Sequence, residues 1–262
     1  MTPVGESLRE ANWPMCLLSM KAKVNVGTWN VHTMFEPSKA AQIAKEMRRY
    51  NIEVLGICES RWNGSGLSKL STGESIIYSD TVTQTPTTST LSYGVAIMMS
   101  SRASKALMQW EPISSRIMTA RFNSKGRKVT IIQCYAPTNN AEQEKKEDFY
   151  RQLQSTLDKT SVGDIKILMG DMNAKLGGDN TGRELTMGRE ALGEMNENGE
   201  LFAEFCAFND LVIGGRQCVQ AQRYPQSDMD FTRHQDTLKI RSTLSQSQEN
   251  GDAVYLTQGQ EE

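Results

Sequence analysis

Four short runs of this sequence end in residues able to grip a metal ion or a phosphate. Asn30 ends Thr28-Trp29-Asn30, and Glu59 follows the apolar run Glu53 to Cys58. Tyr135 closes Thr130 to Tyr135, while Asp171 and Asn173 follow Ile165 to Gly170. Two carboxylates and two amides on one rim suit a hard divalent cation. Mg2+ prefers oxygen ligands, takes few of them from the protein, and keeps water or substrate phosphate on its remaining positions. Each residue alone also has a plainer reading. Glu59 beside Ser60-Arg61 reads as a solvated acid with an ion-pair partner. Gly170-Asp171-Met172-Asn173 reads as a turn, since these residue types favour turns for backbone reasons. Tyr135 reads as a core ring with its hydroxyl at the surface, and Asn30 as an amide satisfying backbone.

The case for a shared site rests on the elements that deliver these residues. Lys23 to Val31 alternates apolar and polar side chains, as a strand does. Pro37 opens a helix whose Ala40, Ala41, Ile43, Ala44 and Met47 fall on one face. Glu53 to Cys58 is a short continuous apolar run, the mark of a strand buried on both faces. Gly94–Met99, Ile117–Phe122 and Lys128–Tyr135 read as further strands. The helix after Pro137 has Asn140 as its cap and Phe149, Tyr150, Leu153 and Leu157 as its buried stripe. Ile165–Met169 is another buried strand. A helix from about Gly199 to Leu211 turns Leu201, Phe202, Phe205 and Phe208 inward. Strands alternating with helices indicate α/β layers, and side chains at strand ends in such layers converge on one rim.

Composition sets the bounds. At 262 residues with 38% hydrophobic side chains, the chain has the size and apolar content of one large domain. Lys+Arg 29 against Asp+Glu 31 gives a net charge of −2, which excludes nucleic-acid binding by bulk positive charge and leaves a local basic groove open. The five cysteines form no CxxC pair, which argues against a disulfide framework or zinc site and for free thiols in a reducing compartment. No apolar run approaches the ~20 residues that span a bilayer. The chain therefore reads as intracellular, nuclear or cytoplasmic, not secreted, and with no membrane partner. Residues 1–22 read as a loose leader and 23–215 as the domain. Residues 216–262 carry nine glutamines and read as a divergent, poorly packed tail.

Taken in order and spacing, the runs GTWNVHTM (27–34), ICES (57–60), QCYAPTN (133–139) and MGDMNAKLG (169–177) resemble the endonuclease/exonuclease/phosphatase family. The flanks ISSRIMTARF (113–122) and MNENGELFAEFCAFNDLVIGG (195–215) are similar to the apurinic-type endonuclease domain of LINE-like retrotransposons and of craniofacial development protein 2-like proteins. The resemblance implies a four-layer α/β sandwich, two packed mixed sheets with outer helices, truncated at its C-terminal side. It implies DNA as partner and Mg2+ as cofactor, or Mn2+ in its place. Glu59 would be the main metal ligand, with Asn30 and Asp171 in the metal network. Asp171 would position or deprotonate the attacking water, while Asn173 and Tyr135 would hydrogen-bond the phosphate. Arg116 would be a phosphate contact, against its plainer reading as a surface arginine.

The match breaks after Gly215. Family members close with a Ser-Asp-His order that this chain lacks. Its two histidines are His32, within TWNVHTM, and His234, which has Asp236 two positions on but not that order. Losing a group that contacts the transition state costs about 10²–10³ in rate. The expectation is an impaired DNA endonuclease. Two alternatives stay open: a catalytically dead remnant that binds nucleic acid or protein, and a phosphatase of a small phosphoester.

Overall fold

The computed structural model describes residue 17 and residues 24–34, 36–80, 93–187, 194–213, 236–240 and 253–257. Two sheets lie face to face. The first runs in the order β10-β1-β2-β5-β4-β3. Its strands are β1 (Val24–Asn30), β2 (Val54–Cys58), β3 (Ser65–Lys69), β4 (Ser75–Ser79), β5 (Val95–Met99) and β10 (Asp236–Ile240). The second runs β11-β9-β8-β7-β6. It comprises β6 (Leu107–Pro112), β7 (Ile117–Phe122), β8 (Val129–Tyr135), β9 (Ile165–Asp171) and β11 (Ala253–Thr257). Four helices complete the described fold: α1 (Pro37–Arg49), α2 (Ser101–Ala106), α3 (Gln143–Asp158) and α4 (Glu197–Phe208).

Three apolar layers hold these parts together. Val24, Val26, Val54, Val95, Ile97, Phe122, Ile131 and Ile167 fill the space between the sheets. Ala40, Ile43, Ala44 and Met47 of α1 pack on the outer face of the first sheet, while Ala41 is exposed. Phe149, Leu153 and Leu157 of α3 join Phe202 and Phe205 of α4 on the outer face of the second. This is the four-layer α/β sandwich that the resemblance implied.

Two parallel strand pairs place the site. β1 and β2 run parallel across α1, with Asn30 beside Cys58; β8 and β9 run parallel across α3, with Tyr135 beside Asp171. A parallel pair needs a crossover connection, here a helix on the sheet's outer face, so the carboxyl ends of both strands meet on the same side. Because β1 and β2 face β9 and β8 across the sandwich, four strand ends share one rim.

Several local readings change. Glu142, not Asn140, occupies the N-cap position of α3, and it makes no side-chain capping bond. Phe208 is 81% exposed rather than inward. The strands β3, β4 and β6 and the short α2 carry too little apolar periodicity to be read from sequence. The leader lies outside the described residues apart from Leu17, which is buried and donates its N–H to the Asn123 carbonyl at 2.7 Å. The sequence reading ended the domain at Gly215, but two strands beyond it extend the sheets. β10 pairs antiparallel with β1, with Asp236 opposite Thr28, and β11 pairs parallel with β9. His234 and most of the Thr-rich stretch 79–92 lie outside the described residues.

Candidate active site

At the rim, one amide ties two acids together. The Asn30 side chain donates to Glu59 Oε1 at 2.9 Å and to Asp171 Oδ2 at 3.0 Å. The two carboxylates are thus no further apart than the sum of those distances, close enough to share one cation and its water. Both are sheltered, Glu59 at 9% exposure and Asp171 at 1%. The plainer reading of Glu59 as solvated is corrected, although its ion-pair partner is real: Arg61 donates to Oε2 at 3.0 Å.

The same contacts fix which atom of Asn30 faces the acids. Its oxygen accepts the His32 N–H at 3.0 Å, so the amide nitrogen points at the carboxylates. Asn30 therefore bridges the pair as a donor. His32 Nδ1 also lies 3.9 Å from Glu59 Oε1, on a largely exposed ring.

Tyr135 donates its hydroxyl to Glu59 Oε1 at 3.0 Å. Burial pushes its pKa well above the usual tyrosine range, and the Glu59 and Asp171 charges push it the same way. The phenol therefore stays protonated and remains a donor. Asp171 is held on its other oxygen by the Asn173 N–H at 2.9 Å, and its own carbonyl accepts from Ala136 at 2.9 Å. The Asn173 amide donates to the Ala136 carbonyl at 2.9 Å. Arg116 donates to the Tyr135 carbonyl at 3.0 Å and lies 4.0 Å from the centre of the Tyr93 ring and 5.2 Å from that of Tyr135. Burial lowers the basicity of Arg116, opposed by both tyrosines and Glu59. It is thus a stacked, half-buried cation beside the carboxylates, not an ordinary surface arginine.

Backbone geometry explains why these side chains meet. Of six non-glycine residues with positive φ among the described residues, four flank the rim: His32, Glu59, Arg61 and Asn173. Such conformations are disfavoured for residues with a Cβ, and they cluster where the surroundings over-determine the chain. Here Ser60, fully buried, donates its N–H to the Gly94 carbonyl at 3.0 Å and accepts from Met34 at 3.2 Å. Gly94 has φ 64, and a Cβ there would stand 2.5 Å from Ser60 Oγ. On the other side, Gly170 has φ 147, with its would-be Cβ 1.8 Å from the Cys134 carbonyl oxygen. No other residue fits between the strands at that point, so Gly170 turns the end of β9 and aims Asp171.

Sequence reading missed four contributors. Arg61 was visible only as a neighbour of Glu59. Tyr93 stands alone before Gly94 with no pattern around it. Asn198 donates to the carbonyls of Asn173 at 3.1 Å and Pro137 at 2.9 Å, and Asn196 caps α4 through Gly199 N–H at 2.8 Å. The signal for these last two was the Asn-Glu-Asn-Gly run just before an apolar stripe, a capping pattern.

Among the described residues, no three His, Cys, Asp or Glu side chains come together as a metal cluster. Cys58 lies beneath the site, where it donates to the Cys134 carbonyl at 3.3 Å, and burial, then the Asp171 charge, raises its pKa. The donors at the rim are the oxygens of two carboxylates, which fit a hard divalent cation.

The Endonuclease/Exonuclease/phosphatase family model matches residues 27–241, through β10. Craniofacial development protein 2 of Bos taurus is 36% identical over 205 residues, covering 78% of this chain and 33% of that relative. This chain therefore spans a third of that relative's length. Among solved structures, AP endonuclease LMAP from Leishmania major is similar with a TM-score of 0.48 at 13% identity, over 71% of this chain and 66% of that one. The endonuclease domain of TRAS1, a telomere-specific non-LTR retrotransposon, is similar with a TM-score of 0.46 at 14% identity, over 71% and 70%. With the model matching most of its length, from β1 through β10, this chain belongs to the endonuclease/exonuclease/phosphatase family.

Proposed function

We propose that this chain hydrolyses phosphodiester bonds in DNA with Mg2+ or Mn2+, as an endonuclease of retrotransposon type, at a reduced rate. The observation that carries this reading is the pair of sheltered carboxylates, Glu59 and Asp171, joined by one Asn30 amide. The LINE-like flanks at 113–122 and 195–215 favour DNA over a small phosphoester.

Glu59 and Asp171 would hold the cation, which when bound supplies Lewis-acid stabilisation of charge on the phosphoryl oxygens. Asp171, braced by Asn30 and the Asn173 N–H, accepts the proton of the attacking water. Tyr135, kept protonated, donates to a phosphate oxygen once Glu59 is otherwise occupied, and Asn173 supplies a second donor. Arg116, held beside the Tyr93 and Tyr135 rings, would contact the backbone phosphate. Donors fixed in place before the reaction stabilise developing charge without reorganising.

Purified protein should nick supercoiled plasmid with Mg2+ and not with EDTA. Glu59→Gln and Asp171→Asn should each abolish nicking while leaving the thermal midpoint within a few degrees. Nicking that survives both changes would place the chemistry elsewhere. The missing Ser-Asp-His favours one second reading, a non-catalytic nucleic-acid binding module. Salt-sensitive DNA binding with no cleavage at any cation concentration would select it.

A further inference from the structure

We infer that Arg61 is a built-in counter-ion for the cation-binding carboxylate. It occupies Glu59 in the metal-free protein, is displaced by the divalent cation, and then pairs with the substrate phosphate. The inference rests on the reading of Glu59 and Asp171 as cation ligands.

The chain is bent to put Arg61 there. Glu59 and Arg61 have φ 58 and 53 on either side of the buried Ser60, which folds the guanidinium back onto the carboxylate two residues earlier. Glu59 Oε1 already accepts from Asn30 and Tyr135, which uses both of its lone pairs. Oε2 takes Arg61 at 3.0 Å. A cation joining Glu59 at Oε2 would take the position that Arg61 now holds. It would then stand beside a guanidinium in the same sheltered corner, and like charges at such range repel strongly.

Charge counting gives the direction of exchange. Arg61 and Arg116 both offset the two carboxylates, and moving Arg61 away leaves the site one unit more negative, which favours a divalent ion. Arg61 can leave. Its side chain is 40% exposed, and its ion-pair contact engages one of its nitrogens. Among the described residues, its buried Nε has no hydrogen-bond partner. A planar fork with unused donors is the group best matched to a phosphate.

The test is titration calorimetry with Mn2+, without DNA, on the wild type, Arg61→Gln, Arg61→Lys and Glu59→Gln, with circular dichroism confirming each fold. Arg61→Gln should bind Mn2+ at least tenfold more tightly than the wild type, and Arg61→Lys should return toward wild-type affinity. An uncleavable phosphorothioate duplex should tighten Mn2+ binding to the wild type more than to Arg61→Gln. Unchanged or weaker Mn2+ binding in folded Arg61→Gln overturns the inference. If the wild type binds Mn2+, Glu59→Gln does not, and folded Arg61→Gln binds no more tightly than the wild type, the counter-ion role alone is overturned. If none of the four proteins binds Mn2+, the carboxylate reading falls with it.

Discussion

Tyr135 shows how closely the individual residues of the site are specified. Its ring belongs to the core between the sheets while its hydroxyl reaches Glu59. Removing only the oxygen therefore isolates chemistry from packing. Tyr135→Phe should lower the nicking rate by about 10²–10³, the range for one lost transition-state donor, with little change in thermal midpoint. A rate unchanged by that substitution would remove Tyr135 from the mechanism. Asn30, Glu59, Tyr135, Asp171 and Asn173 could be named from sequence because each stands where an apolar run stops. Their hydrogen bonding could not. That Asn30 presents nitrogen to the acids depends on the His32 N–H claiming its oxygen, a contact set by a loop conformation. Arg61 and Tyr93 belong to turns whose left-handed residues leave no periodic trace.

Single elements aim these side chains through a few close approaches. Gly170→Ala would force a Cβ to 1.8 Å from the Cys134 oxygen in a conformation that side chains avoid. It should destabilise the protein by about 3 kcal/mol or more, and the surviving fraction should nick poorly because Asp171 is displaced. A denaturant titration measures the first effect and the plasmid assay the second. Asn196→Ala removes the cap of α4 and should cost about 1 kcal/mol. Its effect on activity should be smaller, because Asn198 still clamps the Asn173 carbonyl. The long elements β1, α1, β2, β8, α3 and β9 were legible because burial on one or both faces imposes a strong apolar pattern. The strand β3, exposed along most of its length, has no such pattern; it forms because β4 supplies a partner. Asn140 looked like a cap because residue type alone cannot show where the first helical turn closes.

At the scale of the whole molecule, the second sheet is laced by a polar clasp. Asp164, before β9, accepts two bonds from Arg121 of β7 at 2.7 and 3.0 Å and one from Thr130 of β8 at 2.7 Å. The Arg121 hydrogen bonds, opposed by burial and helped by Thr130, hold its carboxyl below the ordinary aspartate range. A depressed folded value means the stabilisation is full above the unfolded value of about 4 and is lost as pH falls through the folded one. Asp164→Asn should therefore lower stability at neutral pH and flatten its decline below about pH 4, measured as thermal midpoint against pH.

The strands β10 and β11 matter at the same scale, because they cover the outer edges of β1 and β9. Ending the chain at Gly215 should expose both edges and produce association on size-exclusion chromatography. A monomeric truncation with an unchanged thermal midpoint would show that the edges need no cover. These strands were not legible because the surrounding Gln-rich stretch masks two five-residue runs, each of which pairs with a strand far away in the sequence.

The most direct measurement is a Mn2+ soak of crystals of the protein, read by anomalous scattering. The account predicts one ion at the rim, bound to Glu59 and close to Asp171, and absent in Glu59→Gln. An ion bound elsewhere, or none at Glu59 at saturating Mn2+, would contradict it.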